Sequence, residues 1–147
     1  MYLIIGRGLK FEKVKKTIKE ESLENFMLLE FQPDNMIRYS LAAADISVVM
    51  IEDKVANVSI PSKVYNLFAV GSPILSISTN TSEINRLVTS YGNGRNFEND
   101  DIAGIRDFIV SMKNSPELLT TYKKNSLLAS KEFTASNANK FLIDYLS

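Results

Sequence analysis

The chain has 147 residues, 45% of them hydrophobic and 23% charged. These values are expected of one globular domain that buries a core without disulfide bonds or structural metal ions. Lysine plus arginine balances aspartate plus glutamate at 17 each, so no net charge attracts nucleic acid. The sequence contains no cysteine and no histidine. These absences exclude disulfides, thiolate metal sites and the Ser-His-Asp triad, and they argue against a hydrolase, a metalloenzyme or a histidine-based acid/base catalyst.

The N-terminus shows no targeting signal. The apolar stretch that starts at Met1 stops at Gly6, too early for the hydrophobic region of a secretion signal. No apolar run reaches the roughly 18 residues expected of a membrane-spanning helix. We therefore expect a cytoplasmic protein. A chain that opens directly on strand-like residues also fits a fragment of a larger protein.

Short apolar runs alternate with amphipathic stretches, which is the pattern of a parallel sheet covered by helices on both faces. The predicted strands are Tyr2–Ile5, Phe26–Phe31, Ile46–Ile51, Ile74–Ser78 and the short extended piece Arg95–Phe97. The predicted helices are Leu9–Glu21, a helix N-capped by Asp34 that runs through Ala44, Ser62–Val70, a helix capped by Thr79–Ser82 that runs through Ser90, Asp100–Met112, Pro116–Phe133 and Ser136–Leu146. The alternation predicts one α/β domain over residues 1–147.

Apolar spacing and helix-end residues refine two of these helices. The first helix has Phe11, Val14 and Ile18 on its predicted inner face, and the second offers Met36, Ile37, Tyr39 and Leu41 for packing. Pro61 suits the first turn of the third helix, and Gly71 suits the residue just past its end.

The turn Gly6-Arg7-Gly8 follows the first strand directly. Two glycines let the backbone approach a phosphate, and the start of the next helix favours negative charge. A dinucleotide-binding fingerprint would place a third glycine at position 11, where Phe11 stands, so binding of NAD is disfavoured. A tight turn without a ligand explains the pattern about equally well.

An acidic pair, Glu52-Asp53, follows the third strand. A phosphorylated receiver domain would carry an aspartate near this position, but it would also need carboxylates after the first strand to hold magnesium. This chain has Gly6-Arg7-Gly8 there, so the receiver hypothesis fails. We interpret the pair as solvated loop charges.

A polar loop, residues 57–60, leads into the third helix at Pro61. The start of a helix exposes backbone amides that suit a diphosphate, and Lys63 adds a mobile cation in the first turn. Lysine is unfavourable there unless an anion binds nearby. Asn66 lies one turn further on and could reach a sugar hydroxyl. A helix cap with an incidental lysine is the alternative.

Five landmarks in this order resemble the C-terminal domain of family-four GT-B glycosyltransferases, and in particular those that build bacterial capsule, O-antigen and colanic-acid-type polysaccharides. The landmarks are the glycine turn Gly6-Arg7-Gly8, the segment Ala43-Ala44-Asp45, the helix that runs from Ile60-Pro61-Ser62-Lys63 to Gly71-Ser72-Pro73, the stretch Thr81-Ser82-Glu83 with Gly94, and Ser136-Asn137 with Phe141. The resemblance covers residues 2–146. It implies a single Rossmann-like GT-B lobe with a helical C-terminal end.

The resemblance further implies transfer of a sugar from a nucleotide-diphosphate donor, commonly UDP-linked, with retention of configuration. Such catalysis rests on stabilising the departing diphosphate, so the lack of histidine is no obstacle. The implied nucleotide-sugar-binding residues are Gly6, Arg7, Gly8, Gln32, Val58, Ser59, Ile60, Ser62, Lys63, Asn66 and Glu83. No catalytic residue, metal site or cofactor other than the donor sugar is assigned. As part of a full enzyme, the chain is expected at the inner face of the membrane.

The sequence departs from the family in two respects. Of the family's paired glutamates, the second, which holds the ribose, falls at Asn66 and the first near Val58. An amide at Asn66 binds hydroxyls more weakly than a carboxylate would. The acceptor-binding lobe is also absent, so an N-terminal lobe or a companion chain is expected as partner. The alternative hypothesis is a non-catalytic interaction subunit that keeps the fold and has lost the donor chemistry.

Overall fold

The computed structural model describes residues 1–51 and 60–134, which form two compact units. Met1–Ser40 make up the first unit, and the residues from Leu41 onward make up the second. The described elements, in chain order, are β1 (Tyr2–Gly6), α1 (Leu9–Glu20), β2 (Phe26–Glu30), α2 (Asp34–Ala42), β3 (Ser47–Met50), α3 (Lys63–Ala69), β4 (Ile74–Ile77), α4 (Glu83–Tyr91), β5 (Gly94–Phe97), α5 (Ile102–Asn114) and α6 (Pro116–Ser130).

The first unit contains a two-stranded parallel sheet. β1 pairs with β2 in a register that runs from Tyr2 opposite Phe26 to Gly6 opposite Glu30. α1 connects the two strands, as a parallel pair requires. Its predicted inner face is confirmed, because Phe11, Val14 and Ile18 are half-buried while the rest of the helix is exposed.

The second unit contains a three-stranded parallel sheet in the order β3-β4-β5. One apolar cluster includes Val49, Ile74 and Phe68, together with residues of α3 and α4. A second cluster joins Leu75 and Phe97 to Phe108 of α5. Since neighbouring residues along a strand point to opposite faces, Ile74 and Leu75 assign these clusters to the two faces of the sheet.

The fold class predicted from the sequence is confirmed, since parallel strands alternate with helices in a Rossmann-like arrangement. The prediction of a single domain over residues 1–147 stays a prediction. The predicted strand and helix boundaries agree with the observed ones to within two or three residues. The predicted helix Ser136–Leu146 lies outside the described residues.

Two details of the predicted helices were wrong. Asp34 is the first residue of α2 rather than its cap, and the helix ends at Ala42 rather than Ala44. Met36, Ile37 and Tyr39 are exposed, while Leu41 does pack against the apolar cluster of Phe68 and Ile74. Helical spacing alone identified side chains that are able to pack, but only the surrounding elements decide which of them are covered.

Two helices end at a glycine, the residue that most readily adopts a backbone conformation with positive φ. Gly71 follows α3 with a φ of 69°, which confirms its predicted role, and Gly92 ends α4 in the left-handed conformation. A side chain at Gly71 would also press on Leu127 of α6. Among the described residues, no helix combines the length and the apolar character needed to cross a bilayer.

Candidate functional site

An open cleft of about 310 Å³ lies at the carboxyl end of the two-stranded sheet. We call it the β1–β2 cleft, and its lining residues are Gly6, Arg7, Gly8, Phe11, Glu12, Glu30 and Phe31. They come from the ends of both strands and from the first turn of α1. Ligands of open α/β sheets gather at this edge, because helices begin there and strands deliver their last side chains there.

Gly8 gives the cleft its backbone shape. Its φ of 93° and ψ of −174° belong to a region that is essentially restricted to glycine. Gly8 is the N-cap of α1 and, as a glycine, has no side chain of its own to cap the helix. The first helical hydrogen bond runs from the amide of Glu12 to the carbonyl of Gly8, at 3.1 Å. The start of a helix presents backbone amides and the positive end of the helix dipole, so this end of α1 suits a negatively charged group.

Arg7 is the cation of the cleft. Its guanidinium carbon lies 4.5 Å from the centroid of the Phe31 ring, within the range of a cation–π contact. The two carboxylates of the lining, Glu12 and Glu30, can accept hydrogen bonds from hydroxyl groups. The cleft therefore offers a cation and helix amides to an anion, and carboxylates to a polyol.

Phe11 explains why the glycine turn is not a dinucleotide fingerprint. A side chain at Gly6 would meet the Phe11 ring at 3.5 Å, so the ring packs directly against the strand end. In the dinucleotide motif a glycine at this position permits close packing of helix and strand. The aromatic ring instead forms one wall of the cleft.

Gln32 lies beside this cleft. Its Nε2 donates a hydrogen bond to the backbone carbonyl of Glu30, at 2.8 Å. That bond fixes the side chain at the end of β2 and does not use its amide oxygen, which keeps its capacity to accept. Gln32 is not one of the residues lining the cleft, and its role in binding a nucleotide stays a prediction.

In the second unit, Lys63 and Asn66 share one face of α3. Both side chains are exposed, whereas Val64, Leu67 and Phe68 are buried. Residues three apart are neighbours on a helix, so the ammonium and the amide project on the same side. Ser62 precedes the helix without capping it through its side chain, and the first turn contains no acidic residue.

Of the remaining predicted site residues, the structure describes Ile60 and Glu83. Ile60 is half-buried and packs against the apolar cluster of Phe68. Glu83 is the first residue of α4, where it forms an ion pair with Arg86. Val58, Ser59 and the acidic pair Glu52-Asp53 lie outside the described residues. One cleft is therefore lined by Gly6, Arg7 and Gly8. One face of α3 carries Lys63 and Asn66, and α4 carries Glu83.

Four lining residues were not predicted as site residues, namely Phe11, Glu12, Glu30 and Phe31. A signal for Glu30 and Phe31 was present, since both lie at the carboxyl end of the predicted strand Phe26–Phe31 and the carboxyl ends of parallel strands share one edge. Phe11 was assigned to packing only. Within the described part of the chain, no group of three or more acidic residues is arranged to hold a metal ion.

Comparison with known proteins gives one informative relationship. Over 103 residues, or 69% of this chain, the sequence is 30% identical to the probable glycosyltransferase WbjE of Pseudomonas aeruginosa. The matched region is 26% of that protein, so the chain spans about a quarter of the length of this relative. No protein-family profile matches the chain. The sequence is therefore related to a probable glycosyltransferase.

Proposed function

We propose that this chain binds the nucleotide-diphosphate sugar of a retaining glycosyltransferase that builds a bacterial surface polysaccharide. The observation that carries the proposal is the identity of 30% over 103 residues with a probable glycosyltransferase. The order of the sequence landmarks supports the more specific assignment to the C-terminal lobe of a GT-B enzyme. The open cleft at the carboxyl end of β1 and β2 supports binding of a polar ligand there.

The chemistry of the β1–β2 cleft suits a diphosphate that carries hydroxyl-bearing sugars. Arg7 presents several N–H donors in a planar fork, which matches phosphate oxygens. The start of α1, whose N-cap is Gly8, adds backbone donors and a favourable dipole. Glu12 and Glu30 would accept hydrogen bonds from ribose or sugar hydroxyls, and the amide oxygen of Gln32 would accept one from the base.

The second unit offers a separate set of binding groups. Lys63 supplies a point charge for a phosphate, and Asn66 supplies a neutral donor and acceptor for a hydroxyl. We propose the same donor-binding role for Val58, Ser59, Ile60, Ser62 and Glu83. None of these groups needs to transfer a proton, because stabilising the departing diphosphate lowers the barrier electrostatically.

The acceptor would be bound by other polypeptide, either an N-terminal lobe or a companion chain. The chain spans only about a quarter of the length of its relative, which is consistent with separate regions that bind the donor and the acceptor. We propose that the assembled enzyme works in the cytoplasm at the inner face of the membrane. No metal or cofactor beyond the donor sugar enters this proposal.

Titration of the full chain with UDP and a UDP-sugar, followed by NMR of labelled backbone amides, tests the proposal. Binding should shift the amides of Gly8 and Leu9 and saturate at millimolar ligand or below, an affinity of about 4 kcal/mol or better. NAD is the matched control ligand, since it also contains a diphosphate, and it should bind more weakly. A folded chain whose spectrum is unchanged by millimolar UDP and UDP-sugar would contradict the proposal.

A further inference from the structure

A second open cleft, of about 430 Å³, runs along β5 in the second unit. We call it the β5 cleft. Helices α4 and α6 and the strand itself supply its side chains, which belong to Asn85, Thr89, Arg95, Asn96 and Tyr122. Two glycines around the start of β5 complete the lining. Sites of about 300–1,000 Å³ hold small molecules, so this space suits one small ligand.

The β5 cleft is built within a single unit of the chain. Every residue that lines it follows Leu41, where the second unit begins. The lining also contains none of the residues for which we propose donor binding, either in the β1–β2 cleft or on α3 and at the start of α4. The β5 cleft is therefore a separate candidate site.

Hydrogen bonds hold the backbone beside the cleft in place. The Oδ1 of Asn96 accepts from the hydroxyls of Ser76 and Ser78, each at 2.7 Å, and its Nδ2 donates to the carbonyl of Ser78 at 3.1 Å. Both serines are buried. The Nδ2 of Asn125 donates to the carbonyl of Gly92 at 2.7 Å and so joins α6 to the turn before β5. Because these walls are already ordered, a ligand loses little affinity to ordering them.

Arg95 gives the β5 cleft a positive charge. The residue is exposed, and its guanidinium carbon lies 5.6 Å from the centroid of the Phe97 ring. None of the residues that line this cleft is acidic, whereas two glutamates line the β1–β2 cleft. The end of α4 contributes a partial negative charge, but the amides of Gly92 and Asn93 bond to carbonyls of its last turn. The guanidinium fork fits the paired oxygens of a carboxylate or phosphate, so the cleft favours an anion.

The other side chains of the cleft are neutral and match hydroxyl groups. The Oγ1 of Thr89 donates to the Oδ1 of Asn85 at 3.2 Å, and the Nδ2 of Asn85 donates to the carbonyl of Asn80 at 2.6 Å. These bonds leave Thr89 able to accept and Asn85 able to donate once more. The Tyr122 ring stacks on Phe108 with 6.2 Å between centroids, and its hydroxyl can donate and accept. A set of mixed donors and acceptors suits a ligand that carries several hydroxyls.

From this lining we infer that the β5 cleft binds an anionic sugar, which is a ring with several hydroxyl groups and one carboxylate or phosphate. The anionic group pairs with Arg95, and the hydroxyls bond to Asn85, Thr89 and Tyr122. A neutral sugar would leave the guanidinium without an anion. A simple anion would leave the amide and hydroxyl groups unused. This site does not depend on the proposed donor site, because the two share no residue.

NMR titration of the full chain, with labelled backbone amides, tests this site. Glucuronate is the probe, because it combines hydroxyls with a carboxylate, whereas glucose lacks the charge and acetate lacks the hydroxyls. Glucuronate should shift the amides of Arg95 and Asn96 and saturate at millimolar concentration. The Kd values of glucose and acetate should be at least about tenfold higher. Glucose 6-phosphate should bind as well, and its Kd relative to that of glucuronate identifies the preferred anionic group.

Three results would overturn the inference. The first is a folded chain whose spectrum is unchanged by millimolar glucuronate and glucose 6-phosphate. The second is a Kd for glucose or acetate equal to that for glucuronate, because charge and hydroxyls would then not act together. The third is a shift of the Gly8 amide without a shift of the Arg95 amide, which would place the ligand in the β1–β2 cleft.

Three variants assign the binding to individual side chains. Arg95→Gln should raise the Kd for glucuronate about tenfold, because it removes charge-assisted hydrogen bonds. Tyr122→Phe keeps the ring on Phe108 and should raise this Kd about fivefold. Arg106→Gln is the matched control, since Arg106 is an exposed arginine of α5 that does not line the cleft, and it should leave the Kd unchanged. Equal Kd values for Arg95→Gln and Arg106→Gln would show that the β5 cleft does not hold the anion.

Discussion

The guanidinium carbon of Arg7 lies over the ring of Phe31 at the end of the two-stranded sheet, 4.5 Å from the ring centroid. Arg7 follows β1 and Phe31 follows β2, so the parallel pairing of these strands brings them together. Contact with the ring restricts the motion of the guanidinium, whose N–H groups can donate hydrogen bonds to an anion. An arginine held in this way is pre-organised for a phosphate.

Replacing this arginine should weaken donor binding without unfolding the chain. Arg7→Ala removes charge-assisted hydrogen bonds of about 1.5 kcal/mol or more, so the Kd for UDP should rise about tenfold. Arg7→Lys keeps the charge but loses the fork and the stacking, and an intermediate Kd is expected. Calorimetric titration of the three proteins measures the effect.

Arg38→Ala is the matched control for this series. Arg38 belongs to the same unit and stacks on the Tyr39 ring at 4.6 Å, but it does not line the cleft. Its replacement should leave the Kd for UDP unchanged. Equal Kd values for Arg7→Ala and the unmodified chain would show that the β1–β2 cleft does not hold the diphosphate.

Glycine at position 8 is expected to be required for its backbone conformation. A side chain there would meet no atom within 4 Å, so the cost of Gly8→Ala is backbone strain alone. Conformations of this kind cost about 1–3 kcal/mol for other residues. The free energy of unfolding from urea denaturation should fall by that amount.

Gly94→Ala provides the contrasting case. Gly94 has no positive φ, but its added carbon would collide with the backbone carbonyl of Ile74 in the neighbouring strand. The collision cannot be relieved by moving a flexible side chain, so Gly94→Ala should destabilise the chain more than Gly8→Ala. A larger loss of unfolding free energy for Gly8→Ala than for Gly94→Ala would contradict the close approach of β4 and β5.

The elements were predictable because each follows from local chemistry. The apolar run that contains Val48 and Val49 predicted β3, and Gly71 predicted the end of α3. Relationships between distant residues were not predictable in the same way. The contact between Arg7 and Phe31 depends on the strand register, which places Gly6 opposite Glu30.

The candidate site was predicted in part for the same reason. Gly6, Arg7 and Gly8 are adjacent in sequence and follow a strand, so their shared location was visible from the order of residues. Glu12 and Glu30 join them only after α1 and β2 are packed. The sequence also did not predict which side chains are exposed. Met36 has the helical spacing of a core residue, yet its side chain is exposed.

Asn66 is expected at the position of a glutamate in the glycosyltransferases that the sequence resembles, and it provides a direct test of the second set of binding groups. Asn66→Glu introduces a carboxylate that binds hydroxyls through stronger hydrogen bonds. If α3 contacts the ribose or the sugar, the variant should bind a UDP-sugar about tenfold more tightly. Because Asn66 is exposed, its stability should change by less than about 0.5 kcal/mol.

Ala103→Glu is the control for this change. Ala103 is an exposed residue of α5, which packs on the opposite face of the sheet from α3, and the substitution adds the same negative charge away from Asn66. It should leave affinity unchanged. Equal affinities for Asn66→Glu and Ala103→Glu would favour the alternative of an interaction subunit without donor chemistry.

Tyr91 has the clearest predicted response to pH. Its hydroxyl donates a hydrogen bond to Glu132 at 2.7 Å, which joins the end of α4 to the residues after α6. This hydrogen bond, together with burial and the negative charge of Glu132, raises the pKa of Tyr91 to about 12 from an ordinary value of 10.0. Ionisation would place a phenolate next to a carboxylate, so folding favours the neutral phenol.

The sign of the effect on stability follows from that pKa. The folded state binds the phenolic proton more tightly than the unfolded state, so this contribution is fully present below pH 10 and is lost as pH rises towards 12. Tyr91→Phe removes the hydrogen bond and should lower stability by at most about 1 kcal/mol at neutral pH. The variant should also lack the loss of stability that ionisation of Tyr91 causes between pH 10 and 12.

Phenolate absorbance measures the pKa directly. The chain has six tyrosines, so the signal of Tyr91 is the difference between the titrations of the unmodified chain and of Tyr91→Phe. Glu132→Gln keeps a hydrogen-bond acceptor and removes the charge, so the pKa of Tyr91 should fall towards 10 while the protein remains folded. A difference titration centred at 10 in the unmodified chain would show that Tyr91 and Glu132 are not joined in solution.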